Sequence, residues 1–276
     1  MISMIIQSIK RKLHPAYIRL KLRWKLEYSS RNLNIRKKYK NALISLKDIH
    51  KGERCFIIGN GPSLTAADLS LLKNEYTFAA NRIFYIFNKT DWRPTYYCAQ
   101  DELVIESILD ELPKVQKQCR KMFLISACYD KVNSSLIDNP DVLFFCAKYA
   151  SAHRRRYFSN EISTYISGGS SITYAAIQIA VYMGFSEIYL IGVDHSYSTP
   201  SLNKDKTIDA KDVSNCYFDG MPANIKINTP NMDSATLSFL KAKEYGDAHG
   251  IKIYNATRGG KLEVFPRRQL EDILKD

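Results

Sequence analysis

The sequence has no apolar run of the roughly 20 residues that a membrane-spanning helix needs. Its opening Met1-Ile2-Ser3-Met4-Ile5-Ile6 is cut short by Lys10, Arg11 and Lys12. No secretory signal is expected either, because positive charge follows the apolar stretch and no small-residue cleavage site comes after it. There is no C-x-x-C pair. The six cysteines, Cys55, Cys98, Cys119, Cys128, Cys146 and Cys216, are too scattered for a zinc site or a disulfide framework. Buried free thiols in a reducing, cytoplasmic setting are expected. With 12 Gly and 9 Pro in 276 residues, collagen-like and low-complexity architectures are excluded. What remains, at 45% hydrophobic and 25% charged, is a globular chain with material for one large α/β domain or two small ones.

The formal charge of +12 is unevenly placed: residues 1–54 hold 15 Lys+Arg against 3 Asp+Glu, and residues 55–276 hold 25 against 25. A neutral domain therefore carries a basic extension, with the boundary expected at residue 51. Within the extension, Ile18, Leu20, Leu22, Trp24, Leu26 and Tyr28 alternate with Arg19, Lys21, Arg23 and Lys25, which is a strand period. Ile2, Ile5, Ile6, Ile9 and Leu13, and again Tyr17, Leu20 and Trp24, fall at helical spacing, so a helix broken near Pro15 fits too. Either form gives apolar anchors amid dense positive charge, which suits an anionic membrane surface contacted through residues 1–40. Packing on its own domain or on a second copy in a homo-oligomer is the plainer alternative. No nucleic-acid-binding motif accompanies the charge.

From residue 52 the pattern predicts a Rossmann-like, doubly wound α/β domain with a mainly parallel sheet. Strands are expected at 55–58, 77–80, 95–99, 122–125, 142–145, 188–191 and 251–254, and helices from about 65 and at 102–112, 171–183, 233–248 and 267–275. The polar stretch 197–231 lacks periodicity and is expected to form a lid or acceptor-side loop. A sheet of this kind binds ligands at the carboxyl ends of its strands, so the chemistry is sought there.

Four such exits and one further helix start carry candidates. In Gly59-Asn60-Gly61-Pro62-Ser63-Leu64, Gly59 and Gly61 permit close backbone approach, Asn60 and Ser63 offer polar groups, and a new helix presents N–H groups to a phosphate. The turn is neither a Walker A loop nor a full G-x-G-x-x-G, and a plain strand-to-helix turn is the simpler reading. Asn81 ends the next strand, either as a ligand contact or as a turn residue. Asp101 ends the third, as a metal or substrate ligand or as a helix cap. Gly168, Gly169, Ser170 and Ser171 open a helix, as a second phosphate cradle or as ordinary capping. Finally, Asp194 and His195 follow a strand and two glycine-rich turns. His195 suits a general base, with Asp194 to bind metal or substrate or to orient it.

These motifs, with Ala80-Asn81-Arg82, the run Gly184 to His195 and Lys252 to Leu262, resemble the 6-hydroxymethylpterin pyrophosphokinase (MptE)-like family over residues 52–268. They are also similar to a bacterial sialyltransferase family and to motility-associated-factor glycosyltransferases. The sialyltransferase resemblance implies a CMP-sugar donor, nucleotide contacts from Asn60 and Asn81, tyrosines such as Tyr157 and Tyr165 assisting the leaving phosphate, and no metal. That family's catalytic His has no counterpart in Ile225 to Asp233, so His195 would have to serve. The pterin-enzyme resemblance implies ATP and Mg²⁺, with Asp101 and Asp194 near the metal.

The reading that joins domain and extension is a glycosyltransferase at the inner face of the membrane. It would use a nucleotide-activated sugar, CMP-linked in one version, and a glycan or lipid-linked acceptor in cell-surface polysaccharide synthesis, without a cofactor. A Mg²⁺-dependent pterin-type diphosphokinase and a non-catalytic, membrane-docked scaffold are the alternatives.

Overall fold

The computed structural model describes residues 31–149, 157–196, 207–209, 226–228 and 231–275. The alternating stretch 18–28, Cys216 and most of the expected lid 197–231 lie outside the described residues.

In chain order the elements are α1 (31–44), β1 (Arg54–Ile58), α2 (Ala66–Leu71), β2 (Tyr76–Ala80), β3 (Tyr96–Ala99), α3 (Glu102–Glu106), α4 (Leu112–Gln116), β4 (Lys121–Ile125), α5 (Ser134–Ile137), β5 (Val142–Phe145), β6 (Ala147–Tyr149), β7 (Ile166–Gly168), α6 (Ile172–Tyr182), β8 (Glu187–Ile191), β9 (Thr207–Asp209), β10 (Lys226–Asn228), α7 (Met232–His249), β11 (Lys252–Asn255) and α8 (Leu270–Ile273). Seven strands form one sheet in the order β11-β8-β1-β2-β3-β4-β5, and every neighbouring pair is parallel. Parallel strands are covered on both faces, which is why β1, β3 and β5 read as unbroken apolar runs instead of alternating ones. The same logic shapes α6, whose residues from Thr173 to Tyr182 are all buried. It lies against β1, β2 and β3 on one side and α7 on the other, so it carries no polar face.

The strand order reverses between β1 and β8. The chain runs outward from β1 through β5, then returns to place β8 on β1's other side. This is the switch point at which such sheets leave a crevice at their carboxyl edge.

Three expectations are corrected. The packed domain does not begin after residue 51, because Ile35, Tyr39, Leu43 and Leu46 are in the core. Their spacing of four, four and three places them on one face of α1 and its following turn, and charge counting does not register a buried stripe flanked by lysines. The Tyr39 ring packs at a tilt against Phe144 and its hydroxyl donates to Ile137 O at 3.0 Å. The helix expected over 102–112 is interrupted, with α3 ending at Glu106 and α4 starting at Leu112. Pro113 has no N–H to give to the turn before it and stands in the first turn of α4, where none is needed, so the chain restarts there. The C-terminal helix expected over 267–275 is likewise reduced to Leu270–Ile273.

The loop from α1 to β1 is stitched to the far end of α6. Asp48 N donates to Tyr182 O at 3.1 Å and His50 N to Met183 O at 2.8 Å. The His50 ring is buried, stacked on Phe185, and bonded to Glu53 through Nδ1 and to the Tyr96 hydroxyl through Nε2 at 2.6 Å. The five described cysteines are free, and all but Cys119 are buried.

Candidate active site

The crevice is built by two turns held against each other. Gly59 N donates to Ile191 O and Gly61 N to Gly192 O, each at 2.8 Å, while Ser63 Oγ donates to Asp194 Oδ2 at 2.7 Å. A Cβ on Gly59 would stand 2.2 Å from Gly192 O, and one on Gly61 would stand 1.8 Å from Asp194 Oδ2. The glycines are thus required by the contact between the β1 and β8 turns. That role is additional to the expected phosphate cradle, and the Gly59, Gly61 and Leu64 N–H groups are bonded within the fold. At the start of α2 the Thr65 hydroxyl accepts from Asp68 N at 3.2 Å, and the Asp68 carboxylate accepts from Thr65 N at 2.9 Å. That reciprocal cap also places a negative charge in the first turn, where a phosphate would otherwise sit. Arg258, from the turn after β11, closes the far side with a 2.6 Å ion pair to Asp68 and a 3.3 Å bond to Ser63 O.

Along the same edge stands a row of amides. Asn60 follows β1, Asn81 follows β2 and Gln100 follows β3. The Asn60 Nδ2 donates to Ala80 O at 3.0 Å, which fixes its Oδ1 as an acceptor. Asn81 takes the left-handed conformation, φ 54°, that Asn tolerates better than other non-glycine residues. It is pinned there by Asn81 N to Cys98 O at 3.2 Å and by the Tyr97 hydroxyl on its own carbonyl at 2.5 Å. Asn60 Oδ1, Asn81 Oδ1 and Gln100 Oε1 are all buried without a hydrogen-bond partner among the described residues. A buried acceptor left unpaired costs about 1–3 kcal/mol, so three on adjacent strands are retained against a sizeable penalty. Sequence reasoning found Asn60 and Asn81 but passed over Gln100, although the same strand-exit rule that selected Asp101 applies one residue earlier.

Asp101 is occupied as a helix cap, accepting from Val104 N at 3.1 Å, and from Asn228 Nδ2 of β10 at 2.8 Å. It lies three strand spacings from Asp194, about 14 Å along the edge. The two carboxylates therefore do not fit a shared Mg²⁺, and among the described residues no group of three His, Cys, Asp or Glu side chains could hold a metal ion.

His195 is the fourth member of the row, at the exit of β8, with φ 51°. Its partner is not Asp194, whose carboxylate faces Ser63. The Nε2 meets Thr236 Oγ1 of α7 at 2.8 Å, and the ring packs edge-on to Phe239. Burial lowers the imidazole pKa below its ordinary value. The imidazole is therefore neutral at pH 7, as a base must be. The sign of the linked stability follows. Above pH about 6.5 the ring is neutral folded and unfolded, and below it the unfolded chain takes up the proton first. Stability should fall as pH drops below about 6.5, and His195→Asn, which tolerates the positive φ, should flatten that slope. Melting temperatures of both proteins between pH 5 and 7.5 measure it, and parallel slopes would show that His195 is not the group.

The Ser167–Ser171 turn is mainly architectural. A Cβ on Gly168 would lie 2.4 Å from the Tyr149 ring, and one on Gly169 would lie 2.5 Å from Tyr174. Ser171 caps α6 by accepting from Thr173 N at 3.2 Å, and Ser170 bonds Ser234 of α7. Gln178, buried in α6, holds the turn from below through both its amide atoms. Tyr165 is not brought to the amide row. Its ring lies under Lys148 at 3.9 Å and Arg36 of α1 at 5.0 Å. Tyr157 is 40% exposed, its carbonyl accepts from the Tyr174 hydroxyl at 2.8 Å, and burial raises its phenol pKa.

The 6-hydroxymethylpterin diphosphokinase MptE-like family model matches residues 31–200, more than half of the chain and the whole amide row. The chain belongs to the MptE-like family. The match starts where α1 starts, in keeping with its packing in the core. A solved MAf glycosyltransferase from Magnetospirillum magneticum AMB-1 is similar at 15% identity and a TM-score of 0.47. The match covers 86% of this chain and 39% of that one, so the chain spans about two fifths of its length. No curated protein matches the chain.

Proposed function

We propose that this MptE-like protein is a nucleotide-dependent transferase, and that the group it transfers is a sugar from a nucleotide-activated donor. The observation that carries this is the row of unpaired amide oxygens on Asn60, Asn81 and Gln100. Neutral acceptors recognise N–H and O–H donors, which a base and a ribose supply, and a row spanning three strands has the length of a nucleotide. The same neutrality favours a phosphodiester with one negative charge over a triphosphate with four. Asp194 and Asp68 add negative charge at the crevice, and Arg258 is already committed to Asp68. In the reaction, the neutral His195 ring accepts a proton from the acceptor hydroxyl as the sugar leaves its phosphate. The side-chain NH₂ groups of Asn81 and Gln100 donate to that phosphate. A CMP-linked donor and a glycan or lipid-linked acceptor are the specific version of this reading.

The second reading, diphosphokinase chemistry with ATP and Mg²⁺, is favoured by the family's description. The two carboxylates suggested for the metal do not share an ion, so no step is assigned through it. Thermal stability separates the readings, since a ligand at 100 times its Kd adds about 2.7 kcal/mol. CMP should raise the melting temperature by several degrees without metal, and ATP should not. A response to ATP with Mg²⁺ and none to CMP would overturn the glycosyl reading. Silence toward both would leave the non-catalytic scaffold.

Gln100→Leu supplies a sharper signature. It removes an orphan acceptor and fills the same space, so the ligand-free protein should gain about 1 kcal/mol while nucleotide affinity falls about tenfold. Loss of both stability and affinity would mean that Gln100 is a structural residue with a partner inside the fold.

A further inference from the structure

We propose that the outward face of α1 and the turn after it is a docking surface for an anionic lipid bilayer. Leu33, Lys37, Lys40, Ile44, Lys47 and Lys51 recur at alternating spacings of four and three, which brings the helical members onto one stripe. All six are exposed, on the side away from the core residues Ile35, Tyr39 and Leu43. Residues 31–53 hold seven Lys and Arg against Asp48 and Glu53. Arg31 and Lys38 pair with Asp130 and Asp138, whereas Lys37, Lys40, Lys47 and Lys51 have no ion-pair partner among the described residues.

Charge alone would suit any polyanion. What selects lipid is the apolar content on and beside the stripe: Leu33 and Ile44 within it and Ile49 in the turn are 37%, 45% and 44% exposed. Branched aliphatic side chains enter the acyl boundary while lysines beside them hold phosphate headgroups. A nucleic-acid surface would instead offer aromatic side chains to stack on bases, and this face has none.

The orientation follows from the ends of α1. At its start, Arg31 Nη2 donates to Ala127 O at 3.0 Å and Asn32 Oδ1 accepts from Ser126 Oγ at 2.6 Å, both just beyond the carboxyl end of β4. After its end, His50 meets Tyr96, at the first residue of β3. The helix thus runs antiparallel to the strands. Laid flat on a bilayer, α1 puts the strands parallel to the membrane plane. The amide row then opens along the surface, at the edge where α1 begins with Arg31. The surface proposal is independent of the reaction assigned to the row.

The test is sedimentation of the full chain with vesicles of phosphatidylcholine containing about one-third phosphatidylglycerol, against vesicles of phosphatidylcholine alone. Each lysine at an anionic leaflet is worth about fivefold in partitioning. Combined Lys37→Gln, Lys40→Gln, Lys47→Gln and Lys51→Gln should weaken binding to anionic vesicles at least tenfold. Combined Leu33→Ser, Ile44→Ser and Ile49→Ser should also weaken it severalfold and make the remainder more salt-sensitive. All seven side chains are exposed, so melting temperatures should stay near that of the parent. Unchanged vesicle binding in the lysine variant would overturn the proposal by placing the contact elsewhere in the chain. So would binding to a single-stranded oligonucleotide that the lysine variant loses and the apolar variant keeps, without vesicle binding.

Discussion

Gly61→Ala should melt about 10 °C lower than the parent protein and lose its response to nucleotide. The added Cβ would lie 1.8 Å from Asp194 Oδ2 and 2.6 Å from Gly192 O, and the second of these is backbone. To relieve both contacts the β1 and β8 turns must separate. That breaks the Gly61 N to Gly192 O bond and the Ser63–Asp194 bond together. Overpacking of this kind typically costs about 1–3 kcal/mol and at times more, and in a chain of this size each kcal/mol lowers the melting temperature by about 2–4 °C. Gly59→Ala meets the Gly192 backbone at 2.2 Å (O) and 2.7 Å (C), so it should be worse and accumulate as insoluble protein. Gly250→Ala is the control. That position has φ 70° but nothing within 4 Å of a Cβ, so only the conformational penalty of about 1–2 kcal/mol applies. Thermal melts of the three variants, with and without nucleotide, decide the matter. A Gly61→Ala protein with parental stability and ligand response would mean that the two turns are not in contact.

The second large effect is expected at Gln178. Its Oε1 accepts from Ser159 N at 3.0 Å and from Ser167 N at 2.9 Å, and its Nε2 donates to Ser167 O at 3.0 Å and Tyr174 O at 3.2 Å. All four bonding positions of one amide are filled inside a fully buried helix, where it serves β7 as a strand partner would. Gln178→Leu keeps the volume but leaves the Ser159 and Ser167 N–H groups and the Ser167 carbonyl without it. At about 1–3 kcal/mol for each orphaned group, a loss of about 3–5 kcal/mol is expected. Denaturant unfolding should show the midpoint shift with an unchanged slope. Gln178→Glu should lose about as much, because a carboxylate oxygen would face the two carbonyls that Nε2 now serves. A loss below about 1 kcal/mol in both would show that the turn is held by its other contacts.

How far these positions could be read in advance depended on whether the signal was local. All seven strands of the sheet were placed to within a residue because each is a short apolar run bounded by polar turns. Thr65 stands at a helix start that was expected, and its hydroxyl accepts from Asp68 N there. Asn60 and Asn81 were legible because a strand exit is a local address. Gln178 was not, because an amide in an apolar helix gives no local sign of which distant backbone groups it serves. Thr236 was equally hidden. It meets His195 only because α7 packs against the β8 turn, forty-one positions away in the chain.

From sequence alone came the alternation of strands and helices, the list of polar residues at strand exits and the concentration of positive charge before residue 54. These depend on neighbours along the chain, where periodicity and capping act. Only the tertiary structure decided the strand order that sets β8 beside β1, and with it the switch point. It also decided that Gly59 and Gly61 serve turn-to-turn contact, that Asp194 faces Ser63 while His195 faces Thr236, and that three amide oxygens share one edge without partners. Those facts are pairings between segments far apart in sequence. They follow from which surfaces the chain can bury together, a property of the whole fold that no single stretch encodes.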